Sequence, residues 1–171
     1  MPAHPPDSTD FKESFKRAGP SGKTALIISS WFGSGLAPLL PGTFGSLAGL
    51  PFVIVLSYLG AVYSGIFILI IIPLAIWASD MSQRLLGRDD PPEVVIDEVA
   101  GLFLTVFLMP LSWLNIILGF LLFRVFDIFK PFPIGFIDRN VKGGLGIVLD
   151  DILAGIYANI CLRLITLLMG R

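Results

Sequence analysis

The sequence predicts an all-α fold, a polytopic membrane helical bundle whose first hydrophobic segment is broken by glycine and proline. Three observations carry this expectation. Apolar residues make up 54% of the 171-residue chain and charged residues only 15%, where a soluble domain carries about a quarter charged. Mean hydropathy is +0.83. The apolar residues fall into runs near spanning length, and the charges gather in a few blocks between them. Net charge is −1, and no basic stripe interleaves with aromatics, so no nucleic-acid partner is expected.

Residues 1–23, MPAHPPDSTDFKESFKRAGPSGK, lack an apolar core and read as a flexible N-terminal cytoplasmic tail, in which DFKESFKR can form a short interfacial helix. The chain's one histidine, His4, lies there and reads as solvated. No cleavable signal peptide is expected, because no short apolar segment with a small-residue cleavage site follows the charges. Residues 24–171 read as one membrane-embedded domain. Ala25–Leu40 is apolar, yet GSGLAPLLPG is too rich in glycine and proline for a regular helix. A re-entrant or broken helix fits it, and such backbone survives in a membrane only against protein or water. Leu47–Tyr63 and Gly65–Ser79 lie so close together that they form an antiparallel hairpin. Val94–Met109 and Leu111–Phe129 form a second hairpin turned at Pro110, and Leu153–Met169 is the last span. Cys161, the only cysteine, leaves no intrachain disulfide and no Cys-based zinc framework.

Lysine and arginine orient the spans. Lys12, Lys16, Arg17 and Lys23 precede the first segment, Arg84 and Arg88 follow Ser79, and Arg124, Lys130, Arg139 and Lys142 surround the loop before the last span. The turns at Tyr63 and Pro110 carry none, so the charged loops are expected on the cytoplasmic side. Arg163 and Arg171 fit this pattern less cleanly.

Four charged blocks then share one membrane face. In GRDDPPEVVIDEVAG, Pro91 and Pro92 suit a helix start, and Asp89, Asp90 and Glu93 serve its dipole. Asp97 and Glu98 are expected a turn further in, flanked by Val and Ile; acids so placed are costly and point to function. In RVFDIFKPFP, Arg124, Asp127 and Lys130 stand at steps of three before Pro131 ends the helix. As a bland alternative, Arg124 and Asp127 form an i, i+3 ion pair that snorkels to the interface. DRNVKGG contributes Asp138, Arg139 and Lys142, and alone would pass for a polar loop. In KGGLGIVLDDILAG, Gly143, Gly144 and Gly146 permit close backbone approach to an anion. Asp150 and Asp151 are expected to open the last helix, where one of them could serve as its N-cap.

Together these blocks hold five hard oxygen ligands, Asp97, Glu98, Asp127, Asp150 and Asp151, a set that suits Mg²⁺ bound with water and substrate phosphate. Arg124, Lys130, Arg139 and Lys142 supply the positive charge that a phosphate needs beside carboxylates. At headgroup depth the natural substrate is a phosphorylated lipid, which makes a metal-dependent phospholipid enzyme the class expected.

Three stretches carry a resemblance: GSGLAPLLPGTFGSLAGLP (33–51), DPPEVVIDEVAG (90–101) and FRVFDIFKPFPIGFIDRNVKGGLGIVLDDILAGIYA (123–158). In them the chain resembles the phosphatidylglycerophosphatase A family, bacterial membrane phosphatases, over nearly everything after the tail. The resemblance implies Mg²⁺-dependent hydrolysis of phosphatidylglycerol phosphate to phosphatidylglycerol and inorganic phosphate at the bacterial cytoplasmic (inner) membrane. It also implies a role near the site for GSGLAPLLPGT. The expected site comprises Asp127, Asp150, Arg124 and Lys130 as catalytic residues, with Arg124, Lys130, Arg139, Lys142, Gly143 and Gly144 on phosphate. Water attack in an acid-lined Mg²⁺ site is the expected route, and an aspartyl-phosphate on Asp127 or Asp150 is the alternative.

Other phosphatase chemistries lack their residues: no Cys-X5-Arg loop, no usable histidine, no Asp-X-Asp on a strand-like segment. The acid spacing of the CDP-alcohol phosphotransferases is also missing. A rival reading is a small ion-coupled transporter with Asp97, Glu98 and Asp127 as a relay. Transport sites sit near the midplane, whereas these acids are expected at one interface. A non-catalytic binder of anionic lipid would leave the five acids without a role.

Overall fold

A computed structural model describes residues 10–170. The expectations about His4 and Arg171 lie outside the described residues. Eight α-helices follow one another, with no strand among the described residues: α1 (Phe11–Arg17), α2 (Pro20–Ser29), α3 (Pro41–Leu59), α4 (Ala61–Leu86), α5 (Ile96–Val106), α6 (Trp113–Phe129), α7 (Ile134–Asn140) and α8 (Gly143–Leu168). The all-helical class is as expected. By length and composition α3, α4 and α8, of 19, 26 and 26 residues, can cross a membrane. Apolar side chains cover their free faces: Tyr58, Val62, Leu69, Ile70 and Leu168 are all exposed, a surface suited to lipid.

The break in the first hydrophobic segment is present. α2 has 10 residues, about half of a span. It ends where Trp31, Phe32 and Gly33 take positive φ, and a single 3-10 turn at Ser34–Leu36 follows. In the stretch expected as a tail, Ser14 of α1 donates to Leu85 O at 3.1 Å.

The first hairpin turns at Gly60, which takes positive φ, instead of at Tyr63, and three further boundaries differ from expectation for a packing reason. Pro91 and Pro92 do not start a helix. The Val95 amide donates to Ser29 O at 2.8 Å, tying this stretch to α2, and α5 begins only at Ile96. Asp97 and Glu98 therefore stand in the first turn of α5, where the helix dipole favours them. Glu93 lies outside it and pairs with Arg88 at 2.8 Å. Next, α5 stops after 11 residues, so the second hairpin is turned by the whole stretch from Phe107 to Ser112, in which Pro110 lacks an N–H. Ser112 then N-caps α6, accepting from the Asn115 amide at 3.1 Å.

The third difference is at α8, which starts at Gly143 instead of after Asp150 and Asp151. Neither acid is an N-cap; both lie inside the helix and are buried. The glycines mainly serve helix contact. A Cβ on Gly144 would lie 2.2 Å from Ile76 O, so only glycine lets α8 press its first turn on α4.

α5 is buried almost all round and forms the centre of the bundle. Phe123, Val95, Ile96, Val99 and Leu102 pack there. α3 lies against it through small residues: a Cβ on Gly45 would lie 2.5 Å from Val95 Cβ, and one on Gly49 3.2 Å from Val99 Cγ1. Glycine stripes of this kind let membrane helices approach closely.

Candidate active site

At the end of the bundle where α5 begins, a cavity of about 340 Å³ is lined by Gly42 of α3, Asp97 and Glu98 of α5, Arg124 and Asp127 of α6, and Lys130, Asp138, Lys142, Gly143, Asp150 and Asp151. The distant blocks read from the sequence thus meet in one place.

One atom each of Asp97, Glu98 and Asp151 lies within 4.8 Å of the others. Asp97 is 6% exposed and Asp151 3%. Two ionised carboxylates at that distance repel by roughly 3.5 kcal/mol at an effective dielectric of about 20, and three such pairs would act together. Asp97 Oδ1 and Glu98 Oε2 are buried and have no hydrogen-bond partner among the described residues. Repulsion and unmet acceptors both call for positive charge between the carboxylates. The cluster can bind a metal ion, and an all-oxygen donor set selects hard cations.

The other two expected ligands face cations instead. Asp127 Oδ2 lies 2.6 Å from Arg124 Nη1, which is also 3.9 Å from Glu98 Oε1. Arg124 is largely buried, and its Nε has no hydrogen-bond partner among the described residues. Asp150 Oδ2 accepts from Lys130 Nζ at 2.6 Å, and Asp138 Oδ1 accepts from the same ammonium at 2.6 Å. Burial opposes the charge on Lys130, but these two carboxylates outweigh it and hold its pKa above the usual lysine value. Asp138 is a site residue that its own loop did not single out. Lys130 and Asp138 are eight residues apart across the turn at 131–133, a spacing that signals no contact, and they meet once α7 folds back.

Lys142 and Gly143 line the cavity; Arg139 and Gly144 are not among the lining residues. Arg139 Nε donates to Gly135 O at 2.7 Å within α7. The glycine–proline stretch reaches the wall through Leu40, Pro41 and Gly42. A Cβ on Gly42 would lie 1.9 Å from Glu98 Oε1.

Fold and cavity define an all-helical membrane protein with a buried acidic site able to hold a metal ion, next to the guanidinium of Arg124. The family profile described as Phosphatidylglycerophosphatase A matches residues 27–166. The chain is 37% identical to Phosphatidylglycerophosphatase A of Escherichia coli K12 over 133 residues, 77% of each protein. It is 42% identical to Phosphatidylglycerophosphatase A of Haemophilus influenzae over 134 residues, 77% of this chain and 82% of that one. A Bacteroides thetaiotaomicron protein provisionally named a phosphatidylinositol-3-phosphatase is 31% identical over 153 residues, 85% of this chain and 95% of that one. No solved structure matches. The chain belongs to the phosphatidylglycerophosphatase A family, and with it to the phosphoric monoester hydrolases.

Proposed function

We propose that this protein removes the terminal phosphate of phosphatidylglycerol phosphate, with Mg²⁺, at the cytoplasmic face of the bacterial inner membrane. The observation that carries the reading is the convergence of Asp97, Glu98 and Asp151 beside Arg124 in one cavity. The family supplies the substrate, and the oxygen-only donor set favours Mg²⁺.

Asp97, Glu98 and Asp151 would hold the ion, which when bound supplies Lewis acidity and lowers the pKa of water. Arg124 meets the phosphoryl oxygens with its planar fork, and charge gathering on them in an in-line displacement strengthens those bonds. Asp127 fixes the guanidinium by its ion pair. Lys130, held between Asp138 and Asp150, offsets part of the carboxylate charge in the cavity wall without standing free for phosphate. Lys142, at the rim and exposed, is free to meet a second anionic group of the lipid. An aspartyl-phosphate would require Asp127 or Asp150 to leave its cation before attacking, which favours water as the nucleophile.

The transporter reading has little support, because the acids share a single cavity at one end of the bundle. The test is phosphate release from phosphatidylglycerol phosphate by purified protein in detergent, with and without Mg²⁺, and with phosphatidylinositol-3-phosphate as a competing substrate. Turnover should require the metal and stop with EDTA. Full turnover in metal-stripped buffer would refute the metal mechanism, and preference for the inositol lipid would reassign the substrate.

A further inference from the structure

The seam between α5 and α8 extends well away from the cavity. On α8, Asp151, Gly155, Asn159 and Arg163 recur every four residues; on α5, Asp97, Gly101 and Thr105 do the same. Each set forms a stripe along one helix face, and the stripes meet. A Cβ on Gly155 would lie 2.3 Å from Gly101 O, and one on Gly101 2.6 Å from Asp151 O, so the backbones touch. One turn on, Thr105 Oγ1 donates to Gly101 O at 3.0 Å and lies 3.4 Å from Gly155 O.

Asn159 Nδ2 then reaches the carbonyls of Leu104 (3.2 Å), Thr105 (2.8 Å) and Phe107 (3.0 Å). Arg163 Nη2 donates to Phe107 O at 3.0 Å, and its Nε donates to Asn159 Oδ1 at 2.8 Å. These groups stand where α5 ends and its last carbonyls have no partner within the helix. Asn159 and Arg163 supply partners for them. The arginine that fitted the charge pattern poorly thus has a partner inside the fold.

α5 supplies Asp97 and Glu98 to the acid cluster, and α8 supplies Asp151. Gly101 lies one turn from Asp97 and one turn from Thr105, so its contact with Gly155 divides this part of α5 into arms of about 6 Å. Gly101 is also pressed against the Phe123 ring, so α5 sits in a tight seam, and the placement of its Thr105 end is tied along the same helix to that of Asp97 and Glu98. We propose that Asn159, braced by Arg163, is a positioning residue that holds the far arm of α5 and so sets the cation affinity of the Asp97–Glu98–Asp151 cluster. The proposal rests on the metal reading of that cluster.

The test is binding of Mn²⁺ alone to the purified, metal-free, full-length protein in detergent, followed by the EPR signal of the free ion. Thermal unfolding of the same metal-free samples records stability separately. Asn159→Leu removes all four hydrogen bonds at similar volume and should weaken Mn²⁺ binding at least tenfold. Arg163→Met leaves the three bonds from Nδ2 and should weaken it severalfold. Native-like Mn²⁺ affinity in Asn159→Leu, whatever its Tm, would make the residue merely structural and overturn the proposal. If that variant does not fold, Arg163→Met decides: unchanged affinity overturns the proposal and severalfold loss supports it. A native protein that binds no Mn²⁺ would sink the metal reading itself, and this inference with it.

Discussion

Gly42 of α3 and Glu98 of α5 are in direct contact: a methyl group at position 42 would lie 1.9 Å from Glu98 Oε1 and 3.3 Å from Arg124 Nη1. The N-terminal turn of α3 is thereby part of the wall that positions an acid of the cluster. Gly42→Ala is compatible with helical backbone, so the clash must be relieved by displacing Glu98. We expect kcat to fall at least about tenfold, with the protein still folded, on the scale of weakening one catalytic electrostatic contact. Gly19→Ala, with nothing within 4 Å of its Cβ, is the silent control. Wild-type kinetics in Gly42→Ala would show that the placement of Glu98 does not matter.

Removing charge from the cluster should separate activity from stability. Asp97→Asn and Asp151→Asn are expected to lower kcat by about a hundredfold or more. Metal-free stability should hold or rise, because each substitution removes repulsion among buried carboxylates. Glu13→Gln, in the exposed Glu13–Arg17 pair, should do little. Kinetics and thermal unfolding on the same preparations check both halves, and a stability loss parallel to the activity loss would argue for a structural role.

Arg124→Lys distinguishes phosphate recognition from snorkelling. A lysine carries its charge to the interface equally well, but it replaces a planar fork with a point charge. kcat/KM should fall at least about tenfold, roughly 1.4 kcal/mol of transition-state stabilisation, with membrane insertion intact. Steady-state kinetics at matched protein levels decide, and a fully active variant would leave phosphate to other groups.

Lys130 joins carboxylates of unequal burial, so its two partnerships should differ in weight. Lys130→Met strands Asp150, 5% exposed, and should destabilise by about 3 kcal/mol. Asp138→Asn removes a partly exposed partner and should cost under about 1 kcal/mol. The folded pKa of Lys130 is raised, so its stabilisation is complete below the unfolded lysine value. It is lost only as pH rises through the folded value. Chemical unfolding of both variants at one neutral pH measures the two differences.

Sidedness follows from the lysine and arginine pattern. In a Cys161→Ser background, Asn140→Cys, on an exposed residue beside the cavity end, should react with impermeant thiol reagents only from the cytoplasmic side. Tyr63→Cys, at an exposed position in the first turn of α4, should react only from the opposite side. The reverse labelling would turn the site outward.

The sequence alone determined that the chain is helical and lipid-embedded and that its first hydrophobic segment breaks, and it singled out Asp97, Glu98, Arg124, Lys130, Asp150 and Asp151 as candidate site residues. Those features are local. Chain hydropathy, Gly/Pro content and the cost of charge inside apolar runs can all be read within a short window. The tertiary structure alone decided which acids converge. Asp97, Glu98 and Asp151 form the cluster, while Asp127 and Asp150 are drawn to Arg124 and Lys130, because the crossing of α5 and α8 at Gly101 and Gly155 fixes which side chains face inward. It also moved Gly144 from an expected anion cradle to a helix contact. It brought Asp138 to Lys130 through α7, and it gave Asn159 and Arg163 the end of α5 as partner. Apart from the Lys130–Asp138 pair, eight residues apart, these depend on backbones meeting across tens of residues of chain, and hydrophobic pattern constrains the face a helix buries far more than the partner it buries it against.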